Sequence, residues 1–123
     1  MTMVYLWFNA VLYVVFALMC SWNVTTTSRA IGFTQLSPSG VSEYVTVYGG
    51  LQLGLGLFFA FTAYRPELHR TGLVLALSLY VPIVLFRCIS MMRNWPVERM
   101  TLGVSALEAA MLIIALALWL QRR

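Results

Sequence analysis

The chain has no lysine and no aspartate. Its eight basic residues are all Arg, its four acids all Glu, and it carries a single histidine and two cysteines in 123 residues. Each scarcity excludes something. One histidine, His69, cannot supply a bis-histidine haem or a histidine-rich metal centre, so no metal and no cofactor are expected. Two cysteines without a C-x-x-C leave no thiol-disulfide relay of the usual spacing. Eight scattered arginines form no basic stripe, which argues against nucleic acid as a partner and leaves anionic lipid headgroups as the counter-ions. No nucleophile elbow, phosphate loop or zinc motif occurs, so the chain is not expected to be an enzyme.

What the sequence has instead is apolar length. Hydrophobic residues make up 61% and charged residues 10%, and the mean hydropathy is +0.84. Soluble domains carry about a quarter charged residues, and a small soluble core could not hide this much apolar surface. The pattern predicts an all-α integral membrane protein. Its four transmembrane helices, at about 3–22, 43–64, 71–92 and 99–120, form an antiparallel bundle and a single domain over 1–123. Each run is about 20 residues, which at 1.5 Å per residue crosses a hydrocarbon core of about 30 Å. In lipid such runs must be helical, because open backbone groups find no water.

The segment 23–42 is long and polar, and its Ser-Pro-Ser-Gly is a turn signal. YRPELHR and RNWPVER are short, which makes the second, third and fourth helices antiparallel neighbours. The first run lacks a positive start and a small-x-small cleavage site, and is read as a span rather than a signal peptide. An even number of spans places both termini on one side, with Arg65, Arg70, Arg122 and Arg123. Arg29, Arg93 and Arg99 lie on the other. Four arginines against three favour cytoplasmic termini in a bacterial inner membrane.

Arg87 and Glu108 stand inside the apolar runs, and Glu43 opens the second one. With cytoplasmic termini, Arg87 lies about 7 Å and Glu108 about 13 Å from the outer ends of their helices, within reach of one another. Glu43 starts the second helix at the same edge. Helical phase puts Tyr80, Arg87 and Met91 on one face, and Thr101, Ser105, Glu108 and Ala115 on another. It also groups Tyr5, Asn9, Tyr13 and Cys20, and Glu43, Val47, Gly50 and Gly54. Two readings of the polar cluster stand together: an ion-pair clasp locking two helices, and a ligand or proton site. For Glu43 a plainer role also exists, with Ser42 as helix cap and the carboxylate on the dipole.

Gly49, Gly50, Gly54 and Gly56 crowd the second helix, including a G-x-x-x-G. They form two small faces, as in a helix sandwiched within the monomer or one that also meets a second copy. Pro82 lies before Arg87 and is expected to bend the helix. Cys20 and Cys88 fall near the same membrane face, so a disulfide and two separate thiols are both open.

The stretch Y48-G49-G50-L51-Q52-L53-G54-L55-G56, Arg87 late in the third helix and Glu108 within the fourth resemble a small bacterial four-helix membrane family. That family is catalogued as domain of unknown function 4345 and is similar in architecture to the DoxX-like proteins. The resemblance covers about Glu43 to Leu120. It departs at Arg93-Asn94-Trp95-Pro96, where the family has an Asp-Gly-Pro turn. It implies the four-helix fold and a shared importance of Arg87 and Glu108, and no activity. The expected role is an accessory or scaffold subunit of a membrane complex, with the bilayer and a membrane protein or second copy as partners. The alternatives are a binder or carrier of a lipid or amphipathic small molecule, and a proton-coupled transporter working as an oligomer.

Overall fold

The computed structural model describes residues 1–121; Arg122 and Arg123, on which part of the charge count rests, lie outside the described residues. The described residues are mostly helical, with irregular connections at 31–37 and 94–98, and contain no strand. Its elements are α1 (Thr2–Trp22), α2 (Val24–Ala30), α3 (Pro38–Tyr44), α4 (Gln52–Tyr64), α5 (His69–Arg93) and α6 (Arg99–Leu120). A π-helical segment, Val45–Leu51, joins α3 to α4 into one long rod, and a 3-10 turn, Pro66–Leu68, precedes α5. Four helical units are long and apolar enough to cross a membrane: Thr2–Trp22, Pro38–Tyr64, Pro66–Arg93 and Arg99–Leu120.

The second unit begins five residues before the expected start. Ser37 is its N-cap, accepting from the Gly40 amide at 3.1 Å, and Pro38 opens the first turn. The Ser-Pro-Ser-Gly turn signal is thus a helix start, and Ser42 lies inside the helix. The polar segment before it is not all loop, because α2 forms within it. Gly32 follows α2 at φ +98°, a left-handed conformation that suits glycine and ends the helix.

α1 packs along α4 and the π-helical segment, and α5 packs along α6. The core lies where the two pairs meet. Leu6 and Ala10 of α1, Phe59 and Ala63 of α4, Leu73 and Ala76 of α5, and Met111 and Ala115 of α6 are all buried there. Close approach depends on two glycines. A Cβ on Gly56 would meet the Ala10 carbonyl and the Val14 amide at 3.1 Å, and one on Gly72 would run into Leu6 and Thr62. At Gly56 the obstacle is backbone, which cannot step aside; at Gly72 it is the buried side chains of Leu6 and Thr62, which would have to repack.

A smaller packed group forms where α1 ends. The Tyr44 hydroxyl donates to Thr27 Oγ1 at 3.0 Å and lies 3.5 Å from Cys20 Sγ, while the Tyr44 ring stacks on Tyr48 at 4.6 Å. This tyrosine ties α2 and α3 to α1. By contrast, from Val81 in α5 round to Ala110 in α6 no residue is buried. The far half of the α5–α6 hairpin is therefore less tightly covered by the other helices than the near half.

Candidate functional site

The residues that carry charge into these helices meet on the open half of that hairpin. Arg87 projects from α5 and Glu108 from α6. Nε donates to Oε2 at 2.9 Å, and Nη2 donates to Oε1 at 2.7 Å. This edge-to-edge geometry is the strong, orientation-fixing form of the Arg–carboxylate contact. The Arg87 side chain is 34% exposed and that of Glu108 16%. The guanidinium is thus the outer member of the pair. Ser105, one turn before Glu108 on the same face of α6, donates to the Thr101 carbonyl at 2.6 Å and lies 3.3 Å from Met91 Sδ of α5.

Below the pair a second polar chain crosses the core. Tyr80 donates to Asn9 Oδ1 at 2.7 Å, Asn9 Nδ2 donates back to the Tyr5 carbonyl at 2.8 Å, and the Tyr5 hydroxyl donates to the Met111 carbonyl at 3.0 Å. The chain runs from α5 through α1 to α6 without an orphan. No buried side-chain nitrogen or oxygen among the described residues lacks a partner. Tyr13 stacks on Phe59 at 5.6 Å and lies within electrostatic reach of Tyr80 and Glu108. Phase alone put these side chains on inward faces, but it carried no hint of which would bond to which.

Glu43 does not join the cluster. It is exposed, and the described ion pairs are Arg87–Glu108 and the solvent-facing Arg65–Glu67. The cause is the turn of the rod at that point. Tyr44 takes the inward position against α1 and α2, leaving Glu43, about 100° away, outside.

The glycines separate in the same way. Gly49 and Gly56 are buried, and a Cβ on Gly49 would land on Ser21 Oγ of α1. Gly50 and Gly54 would meet nothing within 4 Å. The stripe Glu43, Val47, Gly50, Gly54, expected to face inward, is exposed along its whole length. So the rod is not sandwiched by two small faces inside the chain; one faces α1 and the other is open.

The cysteines are not bonded. Cys20 is buried beside Tyr44, and Cys88 is exposed on the free half of α5. Pro82 is exposed and stands within a continuous α5, at the point where burial along that helix ceases after Tyr80. His69 is not a loop residue. It opens α5 and is buried, with Nε2 donating to the Ala63 carbonyl at 3.2 Å. At the same end Arg70 lies over the Trp119 ring, 5.1 Å from its centroid, an attraction between cation and π-face that pins α6 to the start of α5. Among the described residues no three His, Cys, Asp or Glu side chains gather as metal ligands. No family model, curated protein or solved structure matches the chain.

Proposed function

We propose that this is a multi-pass membrane protein whose four long helices cross a bilayer as an antiparallel bundle, and that it serves as an accessory or scaffold subunit. The observation that carries the reading is the outward face of Gly50 and Gly54, which meets nothing within 4 Å in its own chain. Between helices in lipid there is no hydrophobic driving force, and association depends on small residues that let backbones approach. A flat glycine face turned away from the chain's own core is a surface for a helix of another membrane protein. The interior supports the same reading, since its polar side chains are paired with one another and hold helices together.

The bilayer fits this surface. Exposed Leu, Ile, Phe, Val and Met side chains cover all four long helices, and lipid is the medium in which such a surface is stable. The resemblance to the domain of unknown function 4345 family remains part of the proposal, carried by Tyr48–Gly56, Arg87 and Glu108. A bacterial inner membrane with cytoplasmic termini is the orientation that the sequence favours, by Arg65, Arg70, Arg122 and Arg123 against Arg29, Arg93 and Arg99.

The test is a pull-down from native membranes in mild detergent, comparing the wild type with Gly50→Ile/Gly54→Ile. A stoichiometric membrane protein should accompany the wild type and be lost from the variant, while the variant itself stays folded. Recovery of the chain alone, repeated across detergents, would contradict the subunit reading.

A further inference from the structure

Arg87 has hydrogen-bonding capacity that Glu108 does not use. A guanidinium carries five N–H groups in a rigid fork. Glu108 takes one from Nε and one from Nη2. The other three, two on Nη1 and one on Nη2, have no acceptor among the described residues. One on Nη1 and the free one on Nη2 lie along the end edge of the guanidinium plane, the arrangement that receives two oxygens of one carboxylate or phosphate, while the second Nη1 hydrogen points back beside Cδ. The exposure of the pair is uneven in the same sense, 34% for Arg87 against 16% for Glu108.

The surroundings define what could fill that edge. Arg87 lies six residues before the end of α5, about 9 Å along the helix. Half-buried Ile83, Val84 and Met91 share its side of α5, and exposed Ser90 stands one turn further out. A separate apolar groove of about 540 Å³ lies between α1 and α6, lined by Val4, Tyr5, Phe8, Leu107 and Met111; Arg87 and Glu108 do not line it. An oxyanion-binding edge set in apolar walls fits a molecule with an acidic head and a hydrocarbon body. At that depth in a bilayer, three unfilled N–H groups are costly unless something accepts from them.

We infer that the free edge of Arg87 is a binding site for the phosphate or carboxylate head of an anionic membrane amphiphile, with Glu108 holding the guanidinium in place. The amphiphile's oxyanion accepts from Nη1 and Nη2, and Ser90 lies on the outward side of the head. Glu108 neutralises one charge and fixes the plane of the fork, so the site selects for shape as well as sign. This goes beyond the subunit reading; it depends on α5 crossing the membrane and not on any protein partner.

The experiment reconstitutes the full chain into nanodiscs of phosphatidylcholine with a minor share of phosphatidic acid, and counts retained lipids by native mass spectrometry. One phosphatidic acid per chain should be retained well above its share of the disc. Arg87→Lys keeps a cation beside Glu108 but loses the fork, and should lower that retention by about tenfold. Arg87→Met/Glu108→Met removes the pair without leaving a lone charge, and should abolish the selectivity while circular dichroism shows the fold intact. Equal retention of phosphatidic acid by the wild type and both variants would overturn the site. Displacement of the lipid by inorganic phosphate would keep an oxyanion site and overturn the lipid as its occupant. Failure of the wild-type chain to enter the discs would overturn the spanning reading and the site with it, whereas entry without selective retention overturns the site alone.

Discussion

Arg87 and Glu108 meet edge to edge across the seam between α5 and α6, with both carboxylate oxygens engaged at 2.7 and 2.9 Å. The contact lies in the half of the hairpin where nothing is buried, so apolar packing does little there to hold the two helices in register. An ion pair with two fixed hydrogen bonds supplies the registry that the missing core does not. Near the other end of α5 the same task falls to packed side chains, Leu73 and Ala76 against Ala115 and Leu118.

The glycines should divide into two classes. Gly56→Leu forces a side chain against the Ala10 carbonyl and the Val14 amide, and is expected to destabilise the chain by about 1–3 kcal/mol or more, as overpacking does. Gly54→Ala meets nothing within 4 Å, and should leave the isolated chain unchanged or raise its stability by up to about 1 kcal/mol through helix propensity. Thermal unfolding of purified protein in one detergent compares the two directly. Equal losses would show that both faces are packed.

Tyr80→Phe removes the donor to Asn9 Oδ1 and leaves a buried acceptor empty. The expected cost is about 1–3 kcal/mol. Tyr80→Phe/Asn9→Leu takes away both partners and should recover part of that loss. The same unfolding measurement reads the recovery; a double variant as unstable as the sum of the singles would mean that the two groups do not interact.

The two thiols should differ in access. Cys88 is exposed and Cys20 is buried under Tyr44. In detergent, a maleimide reagent should label Cys88 in the folded protein and Cys20 only after denaturation. Mobility on a non-reducing gel should match that on a reducing gel. Prompt labelling of Cys20, or a reductant-sensitive band shift, would contradict this arrangement.

The four long helices are legible in the sequence because each is an apolar run of about 20 residues, and that pattern depends on no partner. The Arg87–Glu108 pair is legible for a related reason: few ionisable residues interrupt those runs, and their depths agree. Legibility fails where the choice of face is needed. Helical phase keeps Glu43, Val47, Gly50 and Gly54 together and sets them opposite Gly49 and Gly56, but it carries no signal that α1 packs on the Gly49–Gly56 face. The helix α2 is hidden because VTTTSRA is rich in β-branched and hydroxyl residues of low helix propensity. Thr27 bonds back to the Asn23 carbonyl at 2.7 Å and Tyr44 reaches it from α3, so α2 rests on a tertiary contact invisible in its own sequence. The disulfide alternative and the placement of Glu43 miss for the same cause, since both depend on which way one residue of a helix faces.

The direct test of the Arg87–Glu108 clasp is a double-mutant cycle in lipid or mild detergent, built from Arg87→Ala, Glu108→Ala and the double variant. Each single change should cost about 1–3 kcal/mol, below the cost for a fully buried pair because a third of the Arg87 side chain is exposed. The double variant should be clearly more stable than the sum of the two losses predicts, by about 1 kcal/mol or more. Additive losses, or two single variants as stable as the wild type, would contradict a clasp that joins α5 to α6.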